Sequence, residues 1–165
     1  MMSPGSNSAQ NGEGSPLSVE ELAAVEADVD VWLEDQLQTN PTVLTVDRGE
    51  PGQRRWHVRM VGEEKTVSTV WLTLGQRQLH CECHFMPAPE ENEGRLYEYL
   101  LRRNRELTGL RFAIGAEDAV YLVAELPARA VTEAGIDRLL GSFYAYSERW
   151  FRPCMRIGYQ TRFKA

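Results

Sequence analysis

Residues 79–85 read LHCECHF, and the fold turns on how they are taken. Two histidines, two cysteines and a glutamate in seven positions invite a metal site or a redox pair. Side chains alternate along a strand, so Leu79, Cys81, Cys83 and Phe85 share one face and His80, Glu82 and His84 the other. That division is apolar against polar, as a half-buried strand requires. Zinc needs four ligands within about 2.0–2.3 Å of one point. An extended strand instead sends thiols and imidazoles to opposite faces and separates His80 from His84 by roughly 13 Å. A Cys81–Cys83 disulfide would span roughly 6.6 Å between Cα atoms with parallel side chains, at the long end of the allowed range. Buried free cysteine behaves as a small hydrophobe. The stretch reads as a strand, and it implies neither a metal nor another cofactor.

Working outward, four strands are expected over 42–48, 54–62, 66–75 and 78–86. The glycine-bearing separators GEPGQ, GEEK and GQR are hairpin-sized, which predicts an antiparallel meander. Alternation places Trp56, Val58 and Met60 with Val70, Leu72 and Leu74 in the core. The opposite face then carries Arg55, His57 and Arg59, then Thr69, Trp71 and Thr73, then His80, Glu82 and His84. A tryptophan flanked by arginine and histidine suits partner docking through cation–π and stacking contacts. The same pattern is also that of a plain solvated face with one exposed aromatic, and both readings stand at this stage. A regulator that senses a ligand or metal through His57, His80, Glu82 and His84 is the alternative function. Histidines two strands apart lie roughly 9–10 Å from one another, so a shared ion would need a bend or a second subunit.

Helices frame these strands. Ser18 and Glu21 form a capping box, and Leu22, Val25, Val29, Trp32, Leu33 and Leu37 recur at helical spacing until Thr-Asn-Pro at 39–41. A second helix is expected from Gly94 to Leu107, stopped by Gly109. Glu90, Glu91 and Glu93 lie at its start and Arg102, Arg103 and Arg105 near its end, as the helix dipole favours. Glu98 and Arg102 form an i,i+4 pair. A hairpin follows, with strands over 110–116 and 119–126. Thr132 caps a last helix with Ile136, Leu139, Leu140, Phe143, Ser147, Trp150 and Phe151 on one face, which Arg-Pro-Cys at 152–154 is expected to break. The order α-β-β-β-β-α-β-β-α predicts an α+β fold with helices on one face of an antiparallel sheet.

Composition narrows the function. With 42% apolar and 25% charged residues, the chain is an ordinary globular one. No apolar run approaches the roughly 20 residues of a membrane span. The polar start lacks a secretory pattern, and three cysteines do not form a disulfide framework, which together predict a cytoplasmic protein. Residues 1–16 are expected to be a disordered tail, 17–159 a single domain and 160–165 a C-terminal tail. The net charge of −6 is uneven: residues 1–47 hold nine acids and no Lys or Arg, whereas 48–165 hold all 18 basic residues and 15 acids. Such a balance argues against nucleic acid as a partner.

No nucleophile–base pair or phosphate loop is visible, so no catalytic residue is assigned. Asn104 shares a helical stripe with Tyr97, Leu100 and Leu101, and as a buried amide it must find backbone partners. The last helix carries Phe143, Tyr144, Tyr146, Trp150 and Phe151. Tyr144 and Tyr146 diverge by about 200° around the axis. That surplus makes Tyr144, Tyr146 and Trp150 a second candidate docking surface, for a client or a second copy.

The run from Met86 to Phe143, with its Pro-Glu-Asn segment, the helix YEYLLRRN, the strand VYLV and the helix TEAGIDRLLG, resembles the YbjN-domain proteins of actinobacteria. The resemblance extends over about Thr66–Tyr159 and marks Pro89, Glu91, Asn92, Tyr97, Leu100, Arg103 and Asn104 as family-like. It implies a fold like that of type III secretion chaperones, often dimeric, and a non-enzymatic regulatory or chaperone-like role. Some family members are labelled sensory transduction regulators. Asn92 and Asn104 are expected to be structural polar anchors. The combined expectation is a homodimeric protein-binding module whose client lies on the polar sheet face or on the aromatic helix.

Overall fold

The strand that contains LHCECHF becomes β4 (Gln78–Met86), an interior strand of a six-stranded sheet. The computed structural model describes residues 14–163. The meander is β1 (Val43–Arg48), β2 (Arg55–Val61), β3 (Val67–Leu74) and β4. A hairpin of β5 (Arg111–Ile114) and β6 (Val120–Pro127) adds to it with β6 beside β4, giving the order β1-β2-β3-β4-β6-β5, all antiparallel. Period-two burial holds along β4: Leu79, Cys81, Cys83 and Phe85 are buried, His80 and Glu82 are half-buried and His84 is exposed. Val46, Val58, Val70, Cys83, Leu122 and Phe112 form one in-register row across the covered face. All three thiols are free and buried, and burial pushes each of them up, Cys154 to about 12.

Helices α1 (Val19–Thr39), α2 (Glu93–Asn104) and α3 (Glu133–Gly158) pack on that face. Helix α1 lies against β1, α3 crosses β3 and β4, and α2 lies beside β5, so α3 runs between the other two. Ser18 accepts from the Glu21 amide at 3.1 Å while the Glu21 carboxylate accepts from the Ser18 amide at 2.7 Å. Thr132 Oγ1 accepts from the Gly135 amide at 3.0 Å. The turn between β2 and β3 is tied to α3, because the Glu148 carboxylate accepts from the backbone amides of Glu63, Glu64 and Lys65 at 2.9, 2.9 and 3.2 Å. Gly62 makes room for it, since a Cβ there would lie 2.1 Å from Glu148 Oε1.

Three sequence expectations need correction. Pro153 does not end α3, which continues to Gly158. An interior proline costs about 3 kcal/mol or more. Burial of Cys154 and Ile157 opposes that cost, and the loop before α2 caps the helix end. The amides of Glu90 and Glu91 both donate to the Gly158 carbonyl at 3.0 Å, and Asn92 Nδ2 donates to the Ile157 carbonyl at 2.9 Å. Glu90 and Glu91 thus lie outside α2, which ends three residues earlier than expected, at Asn104. Leu101, placed on the buried stripe of that helix, is 69% exposed; the buried positions are Leu96 and Leu100.

Of the expected 16-residue tail, residues 1–13 lie outside the described residues. Gly14, Ser15 and Pro16 are held: Arg77 donates to the Gly14 carbonyl, and Arg129 donates to both Ser15 and Pro16. At the other end, Gln160–Phe163 form a 3-10 turn, within which the Thr161 amide donates to Glu91 Oε1 at 3.0 Å. Residues 164 and 165 lie outside the described residues.

Candidate protein-binding face

With the helices on one side, the described residues leave the sheet's other face uncovered, and register assembles it. Asp47, His57, Trp71, Glu82, Val123 and Arg111 form a single row across all six strands. Arg55, Thr73, His80 and Glu125 form a second row. Arg59 lies opposite Thr69, and His84 opposite Tyr121. The sheet residues singled out from sequence thus share one surface. The contributions of β1, β5 and β6 were missed: Asp47, Arg111, Tyr121 and Glu125. The alternation Tyr121, Val123, Glu125 was visible in sequence, but not that β6 lies beside β4.

Trp71 sits at the centre, 39% exposed. The His57 ring lies on it at 4.0 Å between centroids, and the Arg55 guanidinium approaches its ring centroid at 5.8 Å. Arg55 Nε also donates to Thr73 Oγ1 at 3.3 Å. The imidazoles do not converge. His80 lies between two carboxylates, with Nε2 at 3.5 Å from Glu82 and Nδ1 at 3.4 Å from Glu125. His84 meets Tyr121 edge-on at 5.5 Å, and burial followed by the nearby Lys65 ammonium lowers its pKa. Burial also lowers the pKa of Lys65, whose ammonium donates to the His84 carbonyl. Among the described residues, no group of three or more His, Cys, Asp or Glu side chains is arranged to hold an ion.

The aromatic helix is placed differently. Trp150 is 3% exposed, so it cannot belong to a free docking surface. Its ring lies 5.4 Å from that of Tyr146 and meets Phe112 edge-on at 6.3 Å. Tyr146 accepts from the Thr108 amide at 3.0 Å through its hydroxyl, and Tyr144 packs half-buried against the core. The physical reason is that α3 has a neighbouring helix on each flank. A helix so placed buries a far wider arc than one lying alone on a sheet.

The two asparagines make backbone contacts. Asn104 Nδ2 donates to the Phe112 carbonyl at 3.3 Å, and Asn104 Oδ1 accepts from the Phe112 amide at 2.8 Å, which joins α2 to β5. Asn92 has φ 52° and, besides capping α3, donates to Gln160 Oε1 at 3.0 Å. Between α2 and β5 runs an apolar groove of about 390 Å³. Exposed Leu101 and Ile114 lie on it, a surface that sequence reasoning did not find.

The family model YbjN, described as "Putative bacterial sensory transduction regulator", matches residues 27–155. The chain belongs to the YbjN family. An uncharacterized protein of Mycobacterium leprae is 28% identical over 130 residues, covering 78% of this chain and 71% of the relative. An uncharacterized protein of Mycobacterium tuberculosis is 29% identical over 104 residues, which is 63% of this chain and only 57% of the relative's length. Among solved structures, a chain of the ExsC–ExsE complex is similar with TM-score 0.51 at 20% identity, covering 77% of this chain and 93% of that one. A chain of the heterodimeric ExoU–SpcU complex, from the type III secretion system of Pseudomonas aeruginosa, has TM-score 0.50 at 14% identity, with coverage of 76% and 96%. This YbjN protein therefore has the type III secretion chaperone-like α+β fold that the sequence resemblance implied.

Proposed function

We propose that this YbjN protein is a non-catalytic, chaperone-like or regulatory protein-binding module of the cytoplasm, and that it captures its client on the open sheet face. The observation that carries this reading is the uncovered centre of the sheet, where Trp71 stands 39% exposed between Arg55 and His57. Apolar burial of about 25 cal/mol per Å² would drive capture, and the surrounding charges would set orientation. Two of the solved structures that share the fold, ExsC–ExsE and ExoU–SpcU, are complexes of two proteins, which agrees with this reading. The test is crosslinking in cell lysate followed by mass spectrometry, with Trp71→Ala and Arg59→Glu in parallel. A protein captured by the wild type and lost with both variants supports the reading. Unchanged capture removes the face from consideration.

We further propose that the protein forms a homodimer through the groove between α2 and β5. Leu101 is 69% and Ile114 54% exposed there, and β5 is an edge strand. Helix α2 begins with Glu93 and ends with Arg102 and Arg103, which already pair with Glu98 and Glu106, so two copies related by a two-fold axis perpendicular to the helix would bring acidic and basic ends together. Solution mass tests this: a dimer that Leu101→Glu converts to monomer supports it, and a monomeric wild type rules it out.

A further inference from the structure

The sheet already recognises one acidic helix, its own α1. That helix contains Glu20, Glu21, Glu26, Asp28, Asp30, Glu34 and Asp35 and no basic residue. On the covered face the Arg48 guanidinium lies 4.7 Å from the Trp56 ring centroid and is paired with both Glu26 and Asp30 of α1. Trp56 Nε1 donates to Asp30 Oδ1 at 2.7 Å, and Arg54 Nε donates to Glu26 at 3.0 Å. An arginine on a tryptophan, a second arginine beside it and an indole N–H together hold two carboxylates of a helix.

The open face repeats the first three parts without the carboxylates. Arg55 lies over Trp71, and Arg59 follows it on the same side of β2. Among the described residues, neither Arg55 nor Arg59 forms an ion pair and the Trp71 indole N–H has no acceptor. The acids nearest in register are Asp47, opposite His57, and Glu82, opposite Trp71 and at 3.5 Å from His80.

We propose that the open face binds an acidic amphipathic helix of a partner protein. Its carboxylates would sit on Arg55, Arg59 and the Trp71 N–H as Glu26 and Asp30 sit on Arg54, Arg48 and the Trp56 N–H. This names the chemistry of the client and rests on the open face being the capture surface. A helix suits the site better than an extended segment. Strands β2, β3 and β4 are paired on both sides, so an extended chain across them finds no backbone partner, whereas a helix satisfies its own backbone. A second copy is a poorer occupant, although the outward side of α1 carries Val31, 66% exposed, among acids. Helix α1 and the open face lie on opposite sides of the sheet, so copies joined this way cannot engage mutually and would join head to tail, as a ring or an open chain.

The probe is a labelled peptide with the sequence of residues 18–39, an acidic amphipathic helix, beside a counterpart in which every acid is replaced by lysine. Both are titrated against the full chain by fluorescence anisotropy. The acidic peptide is expected to bind and the lysine peptide not to, with affinity falling as salt is raised. Arg55→Glu combined with Arg59→Glu is expected to cut affinity by tenfold or more, as is Trp71→Ala. Trp71→Phe, which keeps a ring but loses the N–H, should fall between. Circular dichroism checks that each variant is folded. Acidic-peptide binding that ignores the double reversal overturns the proposal, because the peptide would then be replacing α1 rather than occupying the open face. A lysine peptide that binds and depends on Trp71 overturns the acidic chemistry but leaves the capture face standing. Failure of both peptides to bind overturns the acidic-helix proposal and leaves the capture face to the lysate crosslinking. Concentration-dependent growth in sedimentation that Arg55→Glu abolishes would instead assign the face to a second copy.

Discussion

The two faces of this sheet use the same residue types to opposite ends. On the covered face, Trp56 is 1% exposed, Arg48 lies on it and α1 supplies the acids that complete the contact. On the open face, one strand away, Trp71 is 39% exposed with Arg55 and His57 against it and, among the described residues, no acid bound to the arginine. The difference lies in what stands opposite. An arginine–tryptophan pair met by carboxylates from the same chain becomes structure, whereas one left unmet stays exposed on the surface.

Truncation should separate the faces most sharply. Trp56→Ala empties a core site and is expected to destabilise the protein by about 3–5 kcal/mol in chemical denaturation. Trp71→Ala should cost clearly less, about 1–2 kcal/mol, because the ring is already 39% exposed and loses only part of a burial and its ring contacts. Equal costs would mean that the open face is core after all.

Removing the carboxylate that completes the covered pair has a smaller expected effect. Asp30→Ala leaves the buried Trp56 N–H without an acceptor and should cost about 1–2 kcal/mol. Glu82→Ala on the open face should change stability by less than about 0.5 kcal/mol, as is usual for surface positions. Denaturation midpoints of the two variants make the comparison.

The smallest expected effect is one of pH, at the covered-face helix start. The Arg129 guanidinium and the Ser18 amide hold the Glu21 carboxyl down at about 2, from an ordinary 4.5. A carboxyl held low in the folded state adds stability that is present above pH 4.5 and is lost as pH falls from there towards 2. Arg129→Met should flatten the acid limb of a melting-temperature profile over that window. An unchanged profile would mean that the Arg129 contact adds nothing to folding.

Much of this was legible in sequence because it is local. The period of two in LHCECHF sorted thiols from imidazoles, and Ser18 and Thr132 marked helix starts through side chains that reach only three residues along. What sequence hid depends on partners distant in the chain. Pro153 signals a helix end, but the amides of Glu90 and Glu91 cap the helix five residues later. Trp150 and Tyr146 looked surplus because nothing in their own helix reveals that α2 and β5 lie beside them. The groove at Leu101 and Ile114 was hidden for the same reason, since it forms only where α2 meets an edge strand.

The most direct test of the open face as the binding surface is site-specific photocrosslinking in cells, with benzoylphenylalanine placed at Glu82, opposite Trp71 on that face, and, as the control, at exposed Ala145 on α3. A discrete protein adduct is expected from position 82 and none from position 145. An adduct from 145 with none from 82 would contradict the open face as the capture surface.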